Sequence, residues 1–133
     1  MSESIFTKIV KGEIPCHKVY EDDNTLAFLD IHPAAEGHTL VIPKKQVEFV
    51  WDLSPDDYAA LMETTQKVAQ HLRTVIGKKY VGSKVVGTDV PHAHVHLIPF
   101  NTVPEMKGAT GTDRAKQAPN HEALAALAAR LEF

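Results

Sequence analysis

One cysteine, Cys16, stands alone in 133 residues, so no internal disulfide can form and a reducing compartment is expected. The net charge is −3 and no block of basic residues is present, which argues against a protein that tracks a nucleic-acid backbone. Any phosphate bound here has to be held by local groups. No apolar run approaches the ~20 residues that span a bilayer, and no secretory h-region is visible. No membrane segment is therefore predicted, and the cytoplasm is the expected compartment. What remains is ordinary: 44% hydrophobic and 23% charged residues, in the range of a globular domain, with a length suited to one domain over 1–133.

Ser4 to Gly12 reads as a short helix, with Ser4 as N-cap, Ile5, Phe6, Ile9 and Val10 on one face, and Gly12 as the C′ residue. Residues 17–21 and 25–30 read as hairpin arms around the turn Asp22-Asp23-Asn24. After the loop 33–37, residues 38–43 are nearly all apolar, as in a central strand covered on both faces. Ser54-Pro55-Asp56-Asp57 is a strong helix start, and apolar residues then recur at three and four until Gly77. Residues 82–87 read as a further strand, 101–118 as a loop, and 123–131 as a terminal helix. The fold class is α+β, with an antiparallel sheet of about five strands.

The strongest pattern is His92-Ala93-His94-Val95-His96-Leu97-Ile98, bracketed by Pro91 and Pro99. On a strand, residues i, i+2 and i+4 share one face, so the three imidazoles are expected in a row. With eight histidines in the chain, such a triplet arises by chance with an expectation of roughly 0.03. The outer pair is expected about 13 Å apart, too far to share one small atom. That favours a central actor, His94, with His92 and His96 fixing its tautomer or meeting the substrate.

A neutral imidazole is a competent nucleophile near neutral pH, and attack on phosphorus gives a phosphoryl- or nucleotidyl-imidazole that water resolves. Such a reaction needs donors around the phosphate, which His96 and the backbone of Gly87-Thr88-Asp89-Val90 can supply. The competing chemistry is metal ligation: two of these histidines with His38 as third ligand can hold zinc. Residue types and spacing leave both open.

The chain also resembles the histidine triad (HIT) family, whose signature is His-φ-His-φ-His-φ-φ. Ile5 to Pro15, Val19 to Asp23, Leu26 to Ile31 and His38 to Lys45 are similar, in order, to its Hint branch. The resemblance implies homodimers that hydrolyse purine nucleotide phosphoramidates or related nucleoside phosphate conjugates through a nucleotidyl-histidine. It places His94 as nucleophile, His92 and His96 as flanking partners and His38 as a fourth active-site histidine. It gives Asp30 to the ribose hydroxyls and Ile5, Phe6, Ile9, Phe28 and Ile31 to the nucleobase pocket. Thr88 and Asp89 stand where the branch has Gln-Ser/Thr beside the phosphate.

Three departures stand out. Ser4 and Thr7 occupy positions where many bacterial members carry Cys-x-x-Cys zinc ligands, so no structural zinc and no other cofactor is expected. Asp89 near a phosphate is unfavourable unless its side chain turns away. The branch's Asn in a longer loop has no counterpart in the short stretch from Val81 to Gly87. His17, His32, His71 and His121 carry no pattern and are expected on the surface or in loops. A nucleophilic role for Cys16 is not expected. A nucleotide-binding scaffold with weak turnover, a dinucleoside polyphosphate hydrolase and a histidine-rich metal module are the alternative readings.

Overall fold

The computed structural model describes residues 2–106 and 118–133. Its elements run α1 (Ile5–Val10), β1 (Lys18–Glu21), β2 (Thr25–Leu29), β3 (Thr39–Pro43), α2 (Pro55–Ile76), β4 (Tyr80–Lys84), β5 (Val95–Phe100), α3 (Val103–Met106) and α4 (His121–Leu131). The strands form one antiparallel sheet in the order β1-β2-β3-β5-β4. Among the described residues no helix is long and apolar enough to cross a membrane.

Local sequence explains the caps of α1 and α2. The Ser54 hydroxyl accepts from the Asp57 N–H, Pro55 occupies the first turn, and Gly77 ends α2 in the left-handed conformation, where a glycine carries no Cβ penalty. Ser4 likewise caps α1, accepting from the Thr7 N–H. The expected 101–118 loop is interrupted by α3, and residues 107–117 lie outside those described.

Strand alternation sorts the core onto two faces. Ala27 and Leu29 of β2, Val41 of β3, and Val95 and Leu97 of β5 join Leu61, Val68 and Leu72 of α2, and Leu124 and Leu131 of α4. Leu26, Phe28, Leu40 and Ile42 face the other way and pack with Phe6 of α1. Leu61 is wholly buried, so Leu61→Ala is expected to destabilise the protein by about 2–5 kcal/mol in chemical denaturation, through lost burial and the cavity left behind.

Two strand expectations need correction. The strand expected over 82–87 lies at Tyr80–Lys84, because among the described residues its only partner is β5 and their register ends at Lys84 with His96. Among those residues Val85 to Gly87 have no strand to pair with. The histidine row is not one strand either, since β5 begins at Val95. The His92 N–H donates to Val90 O at 2.8 Å and the Ala93 N–H to Val47 O at 2.7 Å, so this backbone is committed to loop contacts. Pro99 lies inside β5 rather than ending it. The register of β5 with β3 stops at Leu97, and a strand with one neighbour tolerates a missing N–H.

Candidate active site

The sheet face carrying Phe28 and Leu40 floors a cleft of about 630 Å³, within the range of small-molecule sites. In the sheet register Leu40 pairs with Phe28 on one side and His96 on the other, so the imidazole of His96 belongs to the cleft floor. Helix α1 forms one wall with Ile5, Phe6 and Ile9, and Ile31 lies at the rim. All five apolar residues expected for a nucleobase pocket therefore line the same cleft, as do Asp30, Asp89, His94 and His96. Thr88 is exposed and does not line it. The ring of His94 stands 5.2 Å from Phe6 and 5.1 Å from His96, centroid to centroid, edge-on to both.

His92 departs from the expected row. Its ring is wholly buried outside the cleft lining, with Nε2 2.7 Å from Pro43 O and Nδ1 2.8 Å from Ser4 Oγ. What His92 offers the site is its backbone carbonyl, 2.7 Å from His94 Nδ1.

Hydrogen-bond direction fixes the protons of the neutral rings, because a carbonyl only accepts and a backbone N–H only donates. His94 must carry its proton on Nδ1 to reach His92 O, which leaves the lone pair on Nε2. The Ala34 N–H donates to His38 Nδ1 at 3.0 Å, so His38 is protonated on Nε2. That nitrogen lies 3.0 Å from His96 Nδ1 and 3.5 Å from Asp30 Oδ2. His96 Nδ1 then accepts, and the proton of His96 sits on Nε2. A lone pair on one imidazole thus stands beside an N–H on the next, a pairing suited to nucleophilic displacement with a donor at the departing or charged atoms.

Asp30 and His38 face each other because they directly flank the strand pair Leu29 with Thr39; the Asp30 N–H donates to His38 O at 2.9 Å. Asp30 Oδ1 accepts from the His32 N–H at 2.8 Å. Gly37 permits this corner: its φ is +89°, and Ile76 and Pro99 atoms lie 3.1 Å from where a Cβ would stand.

The metal alternative meets the same proton logic. Asp30, His38 and His96 bring potential ligand atoms within 4.8 Å of one another. A metal on His38 Nε2 would move that ring's proton to Nδ1, against the Ala34 N–H, whereas a ligating histidine ordinarily donates its second N–H to an acceptor. Ser4 and Thr7, at the positions where the resemblance places Cys-x-x-Cys in many bacterial members, do not suit a structural zinc. Their hydroxyls are not zinc donors of the thiolate kind, and His92 Nδ1 is engaged by Ser4.

Burial, and secondarily the neighbouring His94, lower the His92 pKa below its ordinary 6.5, against an opposing hydrogen bond to Pro43. His17 is lowered as well, by burial and then by His121. The unfolded chain therefore takes up protons near pH 6.5 that the folded one refuses, so this stability is full above 6.5 and is lost as pH falls. Melting temperatures followed by circular dichroism from pH 7.5 to 5 are expected to fall below pH 6.5; a flat profile would contradict this.

Of the four histidines expected on the surface or in loops, His17 and His32 lie in loops and His121 is exposed, whereas His71 is half-buried on α2. His32 and His121 line the cleft, His17 Nε2 lies 3.0 Å from His121 Nδ1, and His71 donates to Leu131 O at 2.7 Å. Nothing in the sequence signals that His121, far along the chain, returns to the cleft on α4. Cys16 also lines it; burial pushes its thiol pKa up, outweighing Lys18, which disfavours the reactive thiolate.

A five-stranded α+β fold with an apolar cleft lined by two neighbouring imidazoles defines a histidine-site domain. The HIT domain model matches residues 11–103, and the chain belongs to that family. It is 41% identical over 99 residues, 71% of this chain and 77% of the other, to an uncharacterized HIT-like protein of Methanocaldococcus jannaschii. It is 39% identical over 100 residues, 71% of this chain and 72% of the relative, to the adenosine 5′-monophosphoramidase hnt1 of Schizosaccharomyces pombe. The crystal structure of a Hit-like protein from Bartonella henselae superposes with a TM-score of 0.79 at 30% identity, covering 97% of this chain and 94% of that one.

Proposed function

We propose that the protein hydrolyses purine nucleoside phosphate conjugates at the α-phosphorus, cleaving a P–N bond and, less readily, a P–O–P bond. The observation that carries this reading is the Nε2 lone pair of His94 beside His96 on the lining of an apolar cleft. His94 Nε2 attacks phosphorus, the P–N bond breaks, and the departing nitrogen takes the proton of His96 Nε2. Water then attacks the nucleotidyl-imidazole, returns a proton to His96 and releases the nucleoside monophosphate. Asp30 accepts the ribose hydroxyls, and Phe6 and Phe28, themselves edge to face at 5.4 Å, flank the base with Ile5, Ile9 and Ile31. The Asp89 backbone N–H serves the phosphate only with its carboxylate turned outward.

The named activity of the fission-yeast relative supports the substrate class. The test is hydrolysis, in ¹⁸O-labelled water, of an adenosine 5′-phosphoramidate made chiral at phosphorus by a sulfur substituent, so that the released phosphorothioate is itself chiral. Two displacements retain configuration, so retention is expected; inversion, or no nucleotide release, would reject the mechanism.

The protein is further proposed to act as a cytoplasmic homodimer. Tyr58 and Met62 on α2 and Tyr80 on edge strand β4 remain exposed apolar groups suited to a two-fold contact, and a sedimentation mass of one chain would refute it.

A further inference from the structure

The hydroxyls of Ser4 and Thr7, with Gln46, meet on one nitrogen of His92. Ser4 Oγ lies 2.8 Å and Thr7 Oγ1 3.2 Å from His92 Nδ1. Gln46 Oε1 accepts from the Thr7 hydroxyl at 2.6 Å and from the Ser4 N–H at 2.8 Å. Gln46 Nε2 in turn donates to Ser2 O at 3.0 Å. We infer that this cluster positions the nucleophile: Ser4, Thr7 and Gln46 lock His92, and His92 O locks His94.

The Ser4 hydroxyl has two acceptors within reach, His92 Nδ1 at 2.8 Å and Thr7 Oγ1 at 3.2 Å, and the nearer one takes its proton. Gln46 Oε1 only accepts, so the short bond from Thr7 uses the Thr7 hydroxyl proton. His92 Nε2 must carry the ring proton to reach Pro43 O, which makes Nδ1 an acceptor. With Thr7 committed to Gln46, the donor to Nδ1 is the Ser4 hydroxyl. His92 is then held at both nitrogens in a single tautomer, and its carbonyl, the partner of His94 Nδ1, is held with it.

Capping alone does not account for this arrangement. An N-cap needs only the bond from the Thr7 N–H to Ser4 Oγ, 3.0 Å here, and neither the Thr7 hydroxyl nor Gln46 takes part in it. The cluster also joins three separate pieces of chain: the start of α1, the segment after β3, and the loop into β5. A six-residue helix is marginal by itself. The same bonds that orient His92 therefore hold the α1 wall, whose Phe6 ring stands against both His92 and His94.

The inference rests on the proposed hydrolase, and its test separates a capping role from a positioning role. Aspartate is as good an N-cap as serine but offers His92 Nδ1 no proton, whereas threonine keeps both functions. Ser4→Thr is expected to retain kcat within about 3-fold. Ser4→Asp is expected to lower kcat about 10- to 100-fold, the scale of a misplaced reacting group, with KM for adenosine 5′-phosphoramidate and Kd for AMP within about 3-fold. Long-range ¹H–¹⁵N spectra of the histidine rings are expected to show His94 as the Nδ1–H tautomer in the wild type and Ser4→Thr, and as a mixture in Ser4→Asp. Wild-type kcat in Ser4→Asp, or a loss confined to KM and AMP binding, would overturn the inference. Should the wild type lack turnover, the hydrolase reading fails, while an unchanged His94 tautomer in Ser4→Asp would independently reject the positioning role.

Discussion

Replacing His94 by alanine is expected to lower kcat for adenosine 5′-phosphoramidate by at least about 10⁴-fold, as expected when a covalent nucleophile is removed. AMP affinity, measured by calorimetry, should stay within about threefold. The asymmetry follows from the geometry. The cleft owes its apolar walls to α1, β2 and β3, whereas His94 lies before β5 and meets those walls through the edge of Phe6. Removing its imidazole takes away the atom that attacks phosphorus and leaves the base and ribose groups in place. Mass spectrometry of quenched wild-type protein is expected to find the nucleotide on the peptide carrying His94. Full turnover by His94→Ala would end the covalent mechanism.

The second large effect concerns His96, and its size depends on the leaving group. With an alkylamine departing, His96→Ala should cost about 10²–10⁴-fold in kcat, the usual contribution of a positioned proton donor. With a phenol of low pKa departing, little proton donation is needed and the loss should shrink to less than about tenfold. The partnership of His96 with His38 at 3.0 Å predicts a weaker version of the same pattern for His38→Ala, which lets the His96 ring turn. A series of leaving groups of graded basicity measures the slope. Equal losses for all of them would assign His96 to holding the ring array rather than to proton transfer.

The elements that sequence reading placed well are those whose determinants are local. Helix α2 begins at Pro55 and ends at Ile76, as Ser54, Pro55 and Gly77 dictate, because caps act over one turn. The cleft wall was legible for a different reason: the match to known motifs carried Phe6, Phe28, Asp30 and Ile31 together, although composition alone cannot separate a pocket from a core. Alternation predicts one strand for the row of histidines, but it describes side chains and says nothing about where backbone partners run out, and β5 begins only at Val95. His92 has its carbonyl in the site and its ring elsewhere, a division of labour invisible in a letter code. The placement of His121 depends on how α4 docks, which is settled by packing of Leu124 and Leu131 against α2 and the sheet, not by anything near residue 121.

That docking has a practical side. The Phe133 N–H donates to Val19 O at 3.0 Å, and the Phe133 ring lies against His71 and Tyr20 at 4.0 and 5.0 Å. The far end of the same rod carries His121 to the lining of the cleft. A substitution at Phe133 is therefore expected to act at a distance, shifting the imidazole of His121 against the cleft through the helix that joins them.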